Sequence, residues 1–113
     1  MTGFYKMPRS FMQTSFYKDP VAKSVATHIL AIARHTAGDM MWAGYSYTVD
    51  KGQCLTSLPA LSQATGCTLN QVRRALQVLE ADQFISRETT NRYAKITVLN
   101  WAKYQIDHRW EEI

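Results

Sequence analysis

An α+β domain, with three helices forming the core and a β-hairpin closing it, is the fold class this 113-residue sequence predicts. Three observations point there. Two stretches of helical spacing meet at Gly66, a longer helical stretch follows Asp19-Pro20, and from Phe84 onward the apolar period drops to two. With 46% hydrophobic and only 19% charged residues the chain has the apolar material for one packed core, so residues 1–113 read as a single ordered domain.

Met1 to Tyr17 sets Lys6 and Arg9 among Phe4, Tyr5, Phe11, Phe16 and Tyr17. Such interleaving suits stacking on unpaired bases, but burial is the commoner use of aromatics, so a strand or short helix covering the core is expected. Asp19 then offers an N-cap and Pro20 a first helical residue. Val21, Val25, Ile29, Ile32 and Ala33 carry a helical stripe to about Thr36. Gly38, Asp39 and Gly44 mark a loop around Met40-Met41-Trp42, either core or an exposed partner surface. Tyr45 to Ser57 holds two β-prone runs about Asp50-Lys51-Gly52, which predicts a short hairpin preceding the next helix.

Ser57 can cap that helix, Pro59 fits its first turn, Leu58, Leu61 and Ala64 form its apolar stripe, and Gly66 can end it in the left-handed conformation. Thr68 and Gln71 have the spacing of a capping box, so another helix starts at about Leu69. Within it Leu69, Val72, Leu76 and Leu79 should face inward against Val25, Ile29 and Ile32. Asn70, Gln71, Arg73, Arg74 and Gln77 are left outside. Arg can grip guanine or phosphate, and Asn and Gln match adenine, so this face carries the groups that read base edges; its alternative is a solvated surface.

The segment from Phe84 to Leu99 alternates on either side of Glu88-Thr-Thr-Asn-Arg92, which reads as a hairpin with Asn91 and Arg92 at its tip, flanked by Arg87 and Lys95. A helix-turn-helix followed by a basic hairpin is the winged helix-turn-helix arrangement, in which the helix enters the major groove and the wing touches backbone or minor groove. The DNA-binding candidates are thus Asn70, Gln71, Arg73, Arg74, Gln77, Arg87, Asn91, Arg92 and Lys95. Geometry divides them: Asn70, Arg73 and Gln77 to bases, Arg74 to phosphate, and a mobile wing to affinity. Beyond the wing, Trp101 and Tyr104 have the spacing of one helical turn.

The net charge of +4 and a pI near 9.2 favour a polyanionic partner. Six positive residues against three negative lie between Gly66 and Tyr104, so most of the surplus belongs to the suspected reading head. Cys54 and Cys67 form no CxxC pair and the three histidines show no ligand spacing, so neither a disulfide framework, a metal nor another cofactor is suggested. No nucleophile sits in a motif with its base, and no Gly-rich phosphate loop exists, which weighs against an enzyme. No apolar run reaches membrane-spanning length and no signal peptide is evident, so a cytoplasmic protein without a membrane partner is expected.

Gly52-Gln53, the run Gln71-Val72-Arg73 with Leu76 and Leu79-Glu80, and the closing Ile96-Thr97-Val98 with Asn100-Trp101 and Tyr104-Gln105 together resemble the winged-helix domains at the front of phage replisome-organiser and DnaD-like primosomal replication proteins. The resemblance spans nearly the whole chain. It implies non-enzymatic DNA binding, of duplex DNA, in phage or prophage replication initiation or its control, with replication proteins as further partners. That domain is also associated with self-assembly in DnaD-like proteins, which implies a homo-oligomer. Family members usually continue into a second domain handling single-stranded DNA or primosome partners, whereas this sequence stops at Ile113, as an excised domain or a short stand-alone protein would. Two alternatives stay open: a protein-interaction module using the Tyr45 to Val49 strand or the Met40-Met41-Trp42 cluster, and a transcriptional regulator of the same fold.

Overall fold

The structure, a computed structural model, describes residues 14–99 and 101. Expectations that fall on Phe4 to Phe11, on Asn100, or on Tyr104 and beyond lie outside the described residues. Among the described residues the domain is α+β, with three α-helices and two antiparallel sheets. A 3-10 turn, Ser15–Lys18, leads into α1, Pro20–Ile32. Strands β1, Gly38–Trp42, and β2, Tyr45–Val49, form one sheet. Then come β3, Gln53–Thr56, α2, Leu58–Thr65, α3, Leu69–Ala81, β4, Ile85–Thr89, and β5, Ala94–Val98.

Each helix starts where a side chain satisfies the exposed amides of its first turn. The Asp19 carboxylate accepts from the N–H groups of Val21 and Ala22 at 3.1 and 3.2 Å, and Pro20 occupies the first helical position. Ser57 Oγ accepts from Ala60 N–H, and α2 ends at Gly66 with φ +78°. Helix α3 carries the full capping box, Thr68 Oγ1 accepting from Gln71 N–H at 3.1 Å and Gln71 Oε1 from Thr68 N–H at 2.9 Å. Val72, Ala75, Leu76 and Leu79 of α3 share one core with Ala22, Val25, Ala26 and Ile29 of α1, Leu61 of α2, and Ile85, Ile96 and Val98 of the sheet. Phe16 closes one end of it against Phe84, ring centroids 4.9 Å apart, as the aromatic-burial reading of that residue requires.

Several expectations are corrected. Helix α1 stops at Ile32 rather than near Thr36, because Ala33 is extended and the backbone of Arg34 exchanges hydrogen bonds with Gln53 and Gly52 instead of continuing the helix. Leu69 lies at the margin of its stripe, on the first turn, and is 46% exposed; Ala75 takes the buried place. Met40-Met41-Trp42 is strand β1, not a loop, and it pairs with β2 across Ala43-Gly44, whose φ values of 52° and 86° form a tight hairpin turn. The runs flanking Asp50-Lys51-Gly52 therefore do not pair with each other. The turn forms, but Gly52 N–H donates to Arg34 and its carbonyl accepts from Val98 N–H, so β3 is drawn onto β5. The order β3-β5-β4 makes a three-stranded sheet and differs from a free-standing two-stranded wing.

Gly52 is buried where a Cβ would sit 2.8 Å from Trp101 Cγ, at a φ of +78°. Alanine there should cost about 1–3 kcal/mol for the backbone alone, and more for the Trp101 contact. Gly44 isolates the backbone part, since its φ is +86° and no atom lies within 4 Å of the place a Cβ would take. Urea midpoints should therefore fall further for Gly52→Ala than for Gly44→Ala. Equal midpoints would show that Trp101 does not crowd position 52. In the same assay Leu76→Ala should lose about 2–5 kcal/mol by cavity formation, and Leu69→Ala less than about 0.5 kcal/mol. A loss at Leu76 as small as that at Leu69 would show that the stripe faces elsewhere.

Candidate nucleic-acid interface

The outer face of α3 is built by the period that buries its opposite side. Asn70, Arg73, Arg74 and Gln77 are all exposed and fall within an arc of roughly 100° on the helix surface. Within it the residues are differently engaged. Arg73 Nη1 donates to Asn70 Oδ1 at 2.8 Å, a one-turn pair that aligns the guanidinium along the helix. Gln71 is held in the capping box, with its carbonyl oxygen committed to Thr68. Arg74 lines a shallow recess with Asp19, Val21 and Ala22, on the α1 flank and away from the line of Arg73 and Gln77. Asn70, Arg73 and Gln77 thus form one group, and Arg74 stands beside it.

The hairpin candidates divide as well. Arg87 lies on the face of β4 that carries Ile85, and its Nη2 donates to Glu80 Oε1 of α3 at 2.9 Å, with the two side chains 22% and 33% exposed. Its charge is matched inside the fold, the only ion pair among the described residues. Lys95 is half-buried on the opposite face, directly across from Glu88. Asn91 and Arg92 are exposed at the tip. A cleft of about 250 Å³ separates that tip from the start of α2, with Leu58, Pro59, Leu61 and Leu76 beneath Arg87, Asn91 and Arg92.

Where the sequence predicts a mobile wing, the hairpin tip is instead braced by the β1–β2 hairpin. Trp42 Nε1 donates to the Arg92 carbonyl at 2.7 Å, the Arg92 guanidinium lies 4.0 Å from the Tyr45 ring centroid, and Tyr47 meets Tyr93 edge to face at 4.7 Å. Sequence reasoning puts Trp42 and Tyr45 near a partner surface but not at the wing. The available signal is the alternation of Met40, Trp42, Tyr45 and Tyr47 about Ala43-Gly44, which sets these side chains on one face once the two runs are paired.

Of the cysteines, Cys67 is partly exposed and Cys54 is fully buried. Burial pushes the Cys54 thiol from 9.0 up to about 12, against a smaller opposite pull from a backbone hydrogen bond at Ile96. That direction disfavours the reactive thiolate. Among the described residues no three His, Cys, Asp or Glu side chains gather as a metal site, and no helix is long and apolar enough to cross a membrane. No protein-family model, curated protein or solved structure matches the chain.

The folded state favours protonated Cys54, so this residue's contribution to stability is full below the ordinary value of 9.0 and is lost as pH rises toward about 12. Between those limits it should tilt stability by about 1.4 kcal/mol per pH unit. Denaturant titrations of the wild type and Cys54→Val across that window should show a shallower alkaline decline in the variant. Parallel declines would mean that Cys54 gains no protection from its burial.

Proposed function

We propose that this chain is a non-enzymatic DNA-binding domain of winged helix-turn-helix type, acting on duplex DNA in phage or prophage replication initiation or its control. In this reading α2 and α3 are the helix-turn-helix, α3 enters the major groove, and the β4–β5 hairpin, extended by β3, is the wing. Cytoplasmic location, replication proteins as partners and homo-oligomerisation belong to the same proposal. The observation that carries it is the outer face of α3. There Asn70, Arg73 and Gln77 stand exposed together on a fully capped helix, with no carboxylate paired to Arg73 among the described residues.

That face also favours a class of base. Oδ1 of Asn70 gives one of its two lone pairs to Arg73, whose guanidinium keeps its other N–H groups and has donors only. Donors alone match the O6 and N7 acceptors of guanine, whereas a bidentate contact to adenine needs an acceptor as well. Gln77 keeps both. Guanine opposite Arg73 and adenine opposite Gln77 follow. The interaction-module alternative draws on Met41, which is 66% exposed on the solvent side of β1; a transcriptional role uses the same face and differs only in where the bound site lies.

Arg73→Ala should cost about 1–3 kcal/mol on a preferred duplex and abolish its preference for guanine at the contacted step. Arg74→Ala should weaken all duplexes alike and lower the salt slope by about one. Fluorescence anisotropy on preferred and scrambled duplexes at several salt concentrations reads both. If neither variant alters binding, α3 is not the reading head and the interaction module becomes the better account.

A further inference from the structure

We propose that the paired tips of the β1–β2 and β4–β5 hairpins form a stacking platform for an unpaired nucleobase next to the duplex. This inference rests on the DNA-binding reading and adds to it a second form of nucleic acid. Trp42 and Tyr45 are opposed in the β1–β2 register, and Met40 and Tyr47 form the adjacent pair on the same face, so the hairpin presents its aromatics on one side. Those three rings then meet different fates. Tyr47 is half-buried against Tyr93, and Trp42 is half-buried with its N–H spent on the Arg92 carbonyl. Tyr45 stays 50% exposed, with the Arg92 guanidinium 4.0 Å from its ring centroid.

A contact whose work was only to join two hairpins would cover both rings beside the turn. Here Tyr45, one of the two rings beside the turn, is left half open, and the cation over it is itself exposed and has no carboxylate partner among the described residues. A guanidinium lying over a ring keeps one planar face for a further stacked group, while its edge N–H groups point sideways, where they can donate to a phosphate. One nucleotide supplies both requirements, a flat base and the adjoining phosphate. A paired base has its faces covered by its neighbours in the duplex, so the occupant is a base that has left the stack, at a strand end, a fork or a melted step. Met41, on the opposite face of β1, takes no part.

The test compares, by anisotropy, a blunt duplex, the same duplex with a short unpaired overhang on either strand, the same overhangs made abasic, and a single strand. Abasic overhangs keep the phosphates and lose the bases. The base-bearing overhang should bind about fivefold or more tighter than the abasic one. Tyr45→Leu should erase that ratio, and Tyr45→Phe should keep it. Reading the ratio cancels any effect of these changes on how Arg92 meets the duplex, and circular dichroism checks that each variant folds. Equal binding of base-bearing and abasic overhangs, or a ratio unmoved by Tyr45→Leu, overturns the platform while leaving duplex reading by α3 intact. Binding of the single strand that depends on Tyr45, with no binding of blunt duplex, overturns duplex reading and leaves the platform standing. Binding of none of the probes overturns both.

Discussion

Gly52 and Gln53 are the joint on which the remaining structure turns. In two residues the backbone donates to the Arg34 carbonyl, accepts from Arg34 N–H and accepts from Val98 N–H, while the Gln53 side chain accepts from Asp50 N–H and donates to Thr97. The exit of α1, the turn after β2 and the last strand are thereby fixed to one point. A side chain at position 52 has no room against Trp101, and the left-handed backbone favours glycine in any case. Because β3 leaves this joint already paired to β5, the start of α2 at Ser57 is set relative to the hairpin that follows α3. Helix α3 and the β4–β5 hairpin are held in register through the sheet as well as through the loop joining them.

That arrangement changes what the hairpin tip is. A two-stranded ribbon of five-residue strands has little stability of its own. Here one side is completed by β3 and the tip is clasped by Trp42, Tyr45 and Tyr47, so Arg92 is carried on a braced surface. Side-chain and loop ordering on binding costs about 0.5–1.5 kcal/mol per immobilised side chain, and a contact ordered before the partner arrives avoids part of that cost. The β1–β2 hairpin therefore bears on the neighbouring tip even where it touches no partner itself.

The helix starts are legible in the sequence because their causes are local. Asp19 with Pro20, Ser57 three residues before Ala60, and Thr68 with Gln71 each complete a cap within one turn of chain, and Gly66 ends α2 through its own backbone freedom. Strand pairing is not legible to the same degree. Tyr45 to Val49 and Gln53 to Thr56 both read as strands, and the turn between them forms, yet their partners are Gly38–Trp42 and Ala94–Val98. Nothing within the turn sequence encodes those distant choices. The Ala43-Gly44 turn is hidden for a related reason, since alanine seldom takes the φ of 52° found there and gives no turn signal. The exposed face of α3 is legible from its period, but the internal bond between Arg73 and Asn70, which alters what Asn70 can offer, depends on rotamers that spacing does not fix.

Charge counting along a sequence treats every basic residue as available, and here the fold withdraws Arg87 from that count. By sequence Arg87 belongs with the hairpin-tip cations, but the alternation of β4 turns it with Ile85 toward α3, where Glu80 meets it. Lys95 faces Glu88 across the sheet. Arg73 and Arg92, unlike Arg87, have no carboxylate in ion-pair contact among the described residues, and they lie on the outer face of α3 and at the braced tip. The two classes have different physical consequences. A partly buried pair such as Arg87 with Glu80 orients α3 against the sheet and adds little to the field outside, because its charges cancel at short range. An unmatched guanidinium costs the fold almost nothing while it is solvated, and it keeps its full attraction for an anion. Among the described residues pairing withdraws Arg87 alone, so what the net +4 offers a polyanion depends on where the remaining cations stand, and those on the outer face of α3 and at the braced tip stand exposed.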